Sequence, residues 1–167
     1  ATVMKGLTLR ARHGELVALI GRNGTGKSTL LRTLAGIQPA LEGEILIEGS
    51  SLSGLGAALL PRMVSFVSTE PVAVRNIRVR DVVALGRFPY TNWIGSLTGH
   101  DNEVVEAALE ATGIAGLANR SIDGISDGER PRTLVARSLA QDTGLLVMDE
   151  PTAFLDLPAR YGSVNLL

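Results

Sequence analysis

The sequence has no cysteine, few aromatic residues and few lysines. Without cysteine, the 167-residue chain can form neither a disulfide nor a thiolate metal site. Only 4% of its residues are aromatic, and two of its 16 basic residues are lysines, Lys5 and Lys27. The net charge of −1 provides no general attraction to nucleic acid or anionic lipid. No apolar run approaches the length that spans a bilayer. What remains is an ordinary globular composition, 45% hydrophobic and 20% charged.

The most informative segment is a glycine-rich loop. It consists of Gly21, Arg22, Asn23, Gly24, Thr25, Gly26, Lys27 and Ser28, and is followed by Thr29. The apolar residues 16–20 before it predict a strand buried on both faces, and the spacing over 28–35 predicts a helix. A strand, a glycine-rich turn and a helix N-terminus form an anion cradle, because backbone N–H groups and the helix dipole point at the ligand. We therefore expect Lys27 to reach the outer phosphates of a nucleotide and Ser28 to bind Mg²⁺.

A second feature is an apolar run that ends in two acidic residues. Residues 145–148 predict a buried strand whose C-terminal end would lie at the ligand-binding edge of an open α/β sheet. There Asp149 would hold Mg²⁺ opposite Ser28, and Glu150 would act as general base on a water that attacks the γ-phosphate. The alternative is a strand that simply ends in two solvated acids. The phosphate loop upstream favours the catalytic interpretation, with Glu150 as catalytic residue.

The remaining pattern alternates strands and helices. We predict an antiparallel strand over 3–11, further strands over 44–48 and 63–67, and a mainly helical insertion over 71–140. Within that insertion the predicted helices cover 79–85, 102–112 and about 130–141. Asp101 is the predicted N-cap of the second of these helices. The fold class that follows is α/β with a parallel layer.

The segment Ile125-Ser126-Asp127-Gly128-Glu129 and the loop over 151–156 complete a set of four motifs. In this order the motifs resemble those of the ATP-binding-cassette ATPases, whose signature runs Leu-Ser-Gly-Gly-Gln, and the resemblance covers essentially the whole chain. It implies a P-loop NTPase three-layer sandwich with a mainly parallel sheet, an N-terminal antiparallel β element and an inserted helical subdomain. Residues 1–70 and 141–167 would form the RecA-like ATP-binding core, and residues 71–140 the helical subdomain with the signature.

The resemblance also implies a site shared between two subunits, with ATP and Mg²⁺ as cofactors. Ser126, Gly128 and Glu129 would face the γ-phosphate of an ATP held by the partner, since the amides at a helix N-terminus attract anions. The alternative for this segment is a plain Asp-Gly turn. Two departures from the family pattern stand out: Asp127 replaces a glycine and would oppose a phosphate unless it points away, and Thr69 stands where the family has a glutamine.

Residues 81–90 are similar to a helix and loop of the importers of iron-siderophores, heme and cobalamin. In that group the helical subdomain receives the coupling helix of a transmembrane permease. An aromatic cluster with an arginine is also what a docking surface would use, although these residues would alternatively pack beneath the subdomain. The resemblance implies an ATPase at the cytoplasmic face of the bacterial inner membrane, paired with a second copy or a related ATPase. Its other partners would be permease subunits and, indirectly, an extracytoplasmic substrate-binding protein.

Three other functions fit the loop less well. A cassette ATPase of DNA repair or translation would carry basic arms, which the net charge of −1 opposes, so no nucleic-acid partner is expected. The second alternative is a GTPase or small kinase, but the guanine-reading Asn-Lys-x-Asp motif would need a lysine, and neither Lys5 nor Lys27 lies in one. A nucleotide-binding regulator without hydrolysis is favoured by Thr69 and Asp127 but opposed by Glu150.

Two family elements have no counterpart in the sequence. The aromatic residue that stacks on adenine would precede Ala1, and the histidine that contacts the γ-phosphate would follow Leu167. His13 and His100 lie in the wrong places for that role and are predicted to be surface histidines. The sequence is therefore interpreted as a fragment, which we expect to be unstable in isolation and unable to turn over ATP.

Overall fold

The computed structural model describes residues 4–68 and 76–150. The helices are α1 (Lys27–Leu34), α2 (Leu60–Met63), α3 (Val79–Ala84), α4 (Gly99–Ala111) and α5 (Glu129–Ala140). The strands are β1 (Leu46–Ile47), β2 (Ser50–Ser51), β3 (Val64–Val67) and β4 (Leu145–Met148). Short 3₁₀ helices cover Leu52–Gly54, Leu85–Tyr90, Ala115–Leu117 and Ile122–Gly124. The predicted strands over 63–67 and 145–148, and the helices of the insertion, are confirmed to within a few residues.

Strands β3 and β4 form the parallel layer of the fold. They pair in register from Val64 opposite Leu145 to Val67 opposite Met148, and the Asp149 N–H extends the ladder by donating to the Val67 carbonyl at 3.0 Å. A parallel pair needs a long crossover connection, and here the helices α3 to α5 lie within it. The parallel α/β arrangement expected from the sequence is confirmed.

The predicted strands near the N-terminus are wrong for the described residues. Residues 4–20 contain no strand, and Leu16 and Ile20 are 70% and 91% exposed rather than buried. The antiparallel pairing occurs instead between β1 and β2. Of the strand expected over 44–48, only Leu46–Ile47 is paired. An extended segment becomes a strand only through hydrogen bonds with a neighbour. No strand of the described chain pairs with residues 16–20, so their apolar pattern alone did not produce one.

Helices α3, α4 and α5 pack around the largest apolar core. Its fully buried members come from all three helices and from the turns between them: Val79, Val82, Val83, Val105, Leu109, Ile114, Ala136 and Ala140. Helix α5 also contacts the sheet, because Leu134 and Val135 pack against Val67 in a separate cluster. One helix therefore joins the helical part of the chain to the parallel strands.

Helix α4 begins earlier than the sequence predicts. Thr98 is its N-cap, and Asp101, expected to be the cap, lies three residues further on. The two residues form a capping box, in which the Thr98 hydroxyl accepts from the Asp101 N–H at 3.2 Å and the Asp101 carboxylate accepts from the Thr98 N–H at 2.9 Å. The error is one of position within a correctly predicted helix.

Candidate functional site

The glycine-rich loop ends at the N-terminus of α1. Gly24 and Gly26 have φ angles of 79° and 93°, a backbone region that glycine adopts without the steric cost of a Cβ atom. Gly26 is the N-cap, and Lys27 begins the helix. The first turn of α1 carries no acidic side chain, so nothing on this turn offsets the positive end of the helix dipole. The loop and helix together present a cradle for an anion.

The Lys27 side chain lies across the loop. Its ammonium donates to the carbonyl oxygens of Gly21 and Arg22 at 2.7 and 2.8 Å. The Thr25 hydroxyl also donates to the Arg22 carbonyl, at 2.8 Å. These bonds hold the ammonium over the mouth of the loop, where a phosphate could replace the carbonyl oxygens as its acceptor.

Ser28 and Asp149 meet at the carboxyl end of β4. The Ser28 hydroxyl donates to the Asp149 carboxylate at 3.0 Å, although 121 positions separate them in the sequence. The bond from the Asp149 N–H to the Val67 carbonyl fixes the backbone of the acid at the end of the strand. The structure thus brings the start of the first helix and the end of the last strand into direct contact, at the edge where open α/β sheets bind ligands.

The oxygen pair of Ser28 and Asp149 fits Mg²⁺. Hydroxyl and carboxylate oxygens are hard ligands, and Mg²⁺ is commonly bound by one or two protein groups, with water and substrate phosphates completing the shell. Within residues 4–68 and 76–150, no group of three or more His, Cys, Asp or Glu side chains could hold a metal by itself. A metal held by Ser28 and Asp149 would take the rest of its shell from water and phosphate oxygens.

Glu150 follows Asp149 in an unusual backbone conformation. Its φ is 54°, which is uncommon for a residue other than glycine, and its side chain is exposed. Such conformations cost free energy and cluster at functional sites. The sequence contains no signal for this angle, because the residue is an ordinary glutamate between an aspartate and a proline.

The segment around Ser126 forms a second turn at the start of a helix. The Ser126 N–H and hydroxyl both donate to the Glu129 carboxylate, at 2.7 and 2.8 Å. These bonds, led by the one from the N–H, hold the pKa of Glu129 below its usual value. The sequence grouped Ser126, Gly128 and Glu129 as an anion-binding set, but here Glu129 is itself the anion that Ser126 binds. Asp127 and Gly128 are exposed beside them.

The other candidate residues are placed less distinctively. Asn23 and Thr29 are exposed on the loop and on α1. The side chains of His13 and His100 are 80% and 72% exposed, as expected for surface histidines. Thr69 and the loop over 151–156, the last of the four motifs, lie outside the described residues.

A buried ion pair joins Arg87 to Asp101, and the sequence did not reveal it. The Arg87 Nε donates to the Asp101 carboxylate at 2.8 Å, and both side chains are only 4% exposed. Hydrogen bonds from Thr98 and Arg87 lower the pKa of Asp101 to about 2. The expectation that an arginine contributes to a docking surface is wrong for Arg87, because its side chain is buried, whereas Leu85 and Phe88 of the same segment are 50% and 72% exposed.

The geometry assigns the chain to the P-loop nucleotide-binding α/β proteins. In this class a glycine-rich loop opens a helix whose lysine and serine face an acidic residue at the end of a parallel strand. The pattern of the ABC transporter family matches residues 4–153, and the chain belongs to that family. Among the helices of the described ranges, none combines the length and apolarity needed to cross a membrane.

Individual relatives are similar over most of this chain. The probable siderophore transport system ATP-binding protein YusV of Bacillus subtilis (strain 168) is 36% identical over 167 residues, 100% of this chain and 61% of the relative. The cobalamin import ATP-binding protein BtuD of Halobacterium salinarum is 41% identical over 156 residues, 93% of this chain and 39% of the relative. The structure of cbiO1 from Clostridium perfringens, part of the ABC transporter complex cbiONQ, has a TM-score of 0.76 at 30% identity and covers 92% of this chain and 61% of that one. The chain thus spans about three fifths of the first of these relatives.

Proposed function

We propose that this chain is the ATP-binding and ATP-hydrolysing part of an importer subunit that powers uptake of an iron-siderophore, heme or cobalamin-type substrate. The observation that carries the proposal is the hydrogen bond between Ser28 and Asp149, which joins the phosphate loop to the acidic strand. The siderophore and cobalamin relatives named above support the substrate class. The siderophore relative is similar over the full length of this chain.

The residues of the site have distinct roles in this proposal. The backbone of residues 21–29 cradles the phosphates, and Lys27 exchanges the carbonyl oxygens of the loop for β- and γ-phosphate oxygens. Ser28 and Asp149 would hold Mg²⁺, which would offset the negative charge of the phosphates. Glu150 is exposed at the end of the strand, where it can accept a proton from a water. Hydrolysis then depends on positioning and on charge rather than on a covalent intermediate.

A second copy, or a related ATPase, completes the site. Ser126, Gly128 and Glu129 lie at the N-terminus of α5 and would face the γ-phosphate of the partner's ATP in the proposed dimer, where the phosphate would replace the Glu129 carboxylate as acceptor for Ser126. The division into a core of 1–70 and 141–167 and a helical subdomain of 71–140 is part of the same proposal. It is supported by the distinct apolar clusters of the α3–α5 bundle and of the parallel strands, which α5 joins through the packing of Leu134 and Val135 on Val67.

The remaining partners lie at the membrane. Leu85, Phe88, Trp93 and Ile94 are 50%, 72%, 95% and 67% exposed, an apolar surface suited to a coupling helix of permease subunits. This would hold the protein at the cytoplasmic face of the bacterial inner membrane and connect it indirectly to an extracytoplasmic substrate-binding protein. The net charge of −1 supports a protein partner rather than nucleic acid.

The replacement Glu150→Gln in the full-length protein tests the catalytic role. The amide keeps the shape of the side chain but cannot take a proton, so we expect ATP binding to persist, turnover to fall by about 10²-fold or more, and an ATP-bound dimer to accumulate on size exclusion. Unchanged turnover would show that Glu150 is not the base. A wild-type protein that binds ATP without any turnover would favour the nucleotide-binding regulator instead.

A further inference from the structure

The 3₁₀ helix Leu85–Tyr90, called here the aromatic turn, has one exposed and one inward side. In a 3₁₀ helix residues three positions apart lie above one another. Leu85 and Phe88 share the exposed side, at 50% and 72% exposure, whereas Arg87 and Tyr90 share the inward side. Arg87 is 3% exposed and Tyr90 is half-buried. The surface proposed to meet a permease therefore lies directly over a polar interior.

On the inward side, the aromatic turn holds the C-terminal end of α5. The Arg87 Nη1 donates to the Ala140 carbonyl at 3.0 Å, which satisfies a carbonyl of the last helical turn. Gly86 packs so closely on the same helix that a Cβ atom there would collide with the Arg137 carbonyl oxygen. Because Asp101 binds the other side of the Arg87 guanidinium, a movement of the turn would either shift the end of α5 or break one of these buried hydrogen bonds.

Tyr90 connects the aromatic turn to the parallel sheet. Its ring contacts two guanidinium groups, with Arg87 at 4.0 Å and Arg62 at 5.1 Å from the ring centre. Its hydroxyl donates to the Asp142 carbonyl at 3.3 Å, just before β4. Arg62 also donates to the Pro89 carbonyl at 2.9 Å, so α2 holds the same turn.

Both elements held by the turn reach groups assigned to nucleotide binding in the proposed dimer: β4 leads to this chain's own site, and the N-terminus of α5 faces the partner's ATP. Helix α5 is a rod of about 18 Å that carries the Ser126 segment at its other end, and β4 ends at Asp149. We propose that Tyr90 is a positioning residue that couples the exposed face of the aromatic turn to the nucleotide site through α5 and β4. This inference rests on the proposed ATP-binding function. Because coupling between two sites is reciprocal, we expect ATP binding to alter that face in turn.

The fluorescence of Trp93 can report changes at the exposed face when nucleotide binds. It is the only tryptophan of these 167 residues, lies close after Tyr90 in the chain, and is 95% exposed. The emission of Trp93 in the full-length protein is obtained by subtracting the spectrum of a Trp93→Phe variant. A nonhydrolysable ATP analogue with Mg²⁺ is then titrated while emission and bound nucleotide are measured together. We expect the emission or its acrylamide quenching to change in proportion to nucleotide bound.

The variants separate coupling from stability. Tyr90→Leu removes the ring that contacts both arginines and should reduce the Trp93 response by about fivefold or more, with nucleotide affinity unchanged. Tyr90→Phe removes only the bond to the Asp142 carbonyl and should give an intermediate response. Arg80→Lys, at the exposed Arg80–Glu106 pair of the same bundle, is the matched control and should respond as wild type. A purely structural role of Tyr90 would lower the melting temperature without altering the response per bound nucleotide.

Each outcome decides between the proposals. If the wild-type protein binds no nucleotide, the proposed function fails and the inference fails with it. If it binds nucleotide but Trp93 does not respond, only the coupling is refuted. A Tyr90→Leu variant that responds like wild type overturns the role of Tyr90. Should that variant not fold, Tyr90→Phe decides in its place, and an undiminished response there overturns the role.

Discussion

Removing the charge of Asp101 is the sharpest test of the helical bundle. Asp101→Asn keeps the size of the side chain and an oxygen for the Thr98 N–H, but leaves the Arg87 guanidinium buried without a counter-charge. Breaking a buried pair from one side costs about 3–5 kcal/mol, a large part of the roughly 5–15 kcal/mol that stabilises an ordinary domain. We expect the free energy of unfolding of the full-length protein, measured with urea at pH 7, to fall by about that amount.

The loss of stability caused by Asp101→Asn should depend on pH in a definite direction. Folding lowers the pKa of Asp101 from 3.8 to about 2. The ionised carboxylate therefore stabilises the fold at pH values above the pKa that it has in the unfolded chain. That stabilisation is fully present at pH 7 and is lost as the pH falls through the interval between 3.8 and about 2. The difference between wild type and Asp101→Asn should therefore shrink across this interval.

A matched variant shows what loss of a carboxylate charge costs when the ion pair is not buried. Glu106→Gln breaks the Arg80–Glu106 pair, whose side chains are 30% and 51% exposed, and should cost no more than about 1 kcal/mol. Stabilisation by the buried Arg87–Asp101 pair is refuted if Asp101→Asn lowers the free energy of unfolding at pH 7 as little as this control does. It is also refuted if the difference between Asp101→Asn and wild type stays constant as the carboxylate is protonated.

Two further predictions concern the metal and the packing of the aromatic turn. Asp149→Asn should reduce the Mg²⁺-dependent part of ATP affinity by about tenfold in calorimetric titrations, because Ser28 alone is a weak ligand, and equal affinities with Mg²⁺ and with EDTA in the wild type would contradict the assignment. Gly86→Ala should lower the melting temperature by several degrees, because its Cβ atom would collide with the Arg137 carbonyl, whereas Gly116→Ala meets no atom within 4 Å and should melt close to wild type.

The site was more predictable from the sequence than the elements around it. The phosphate loop and the acidic strand were visible because each is a short pattern of chemically special residues. The strand over 16–20 was predicted wrongly because apolar character shows a preference for burial but not the presence of a pairing partner. The start of α4 was misplaced because Thr98 and Asp101 are both good capping residues, and only the geometry distinguishes the N-cap from the third helical position.

The exposure of Arg87 was predicted wrongly for a different reason. In the sequence it stands among aromatic residues and has the composition of a binding surface. In the structure it is 3% exposed, because Asp101 and the Ala140 carbonyl come from other helices to satisfy its guanidinium. Burial of a charge depends on partners that are distant in the chain, and no local pattern encodes them.

The sequence by itself determined the groups that depend on neighbours in the chain: a glycine loop that admits an anion, a lysine and serine at a helix start, and two acids after an apolar strand. Only the tertiary structure decided which of these groups meet. The Ser28 hydroxyl lies 3.0 Å from the Asp149 carboxylate, and the Ser126 hydroxyl donates to Glu129. Arg87 and Tyr90 bind the aromatic turn to the end of α5 and to the residue Asp142 before β4. The physical reason is that local chemistry follows from residue type and spacing, whereas contacts across the fold depend on how helices and strands pack together.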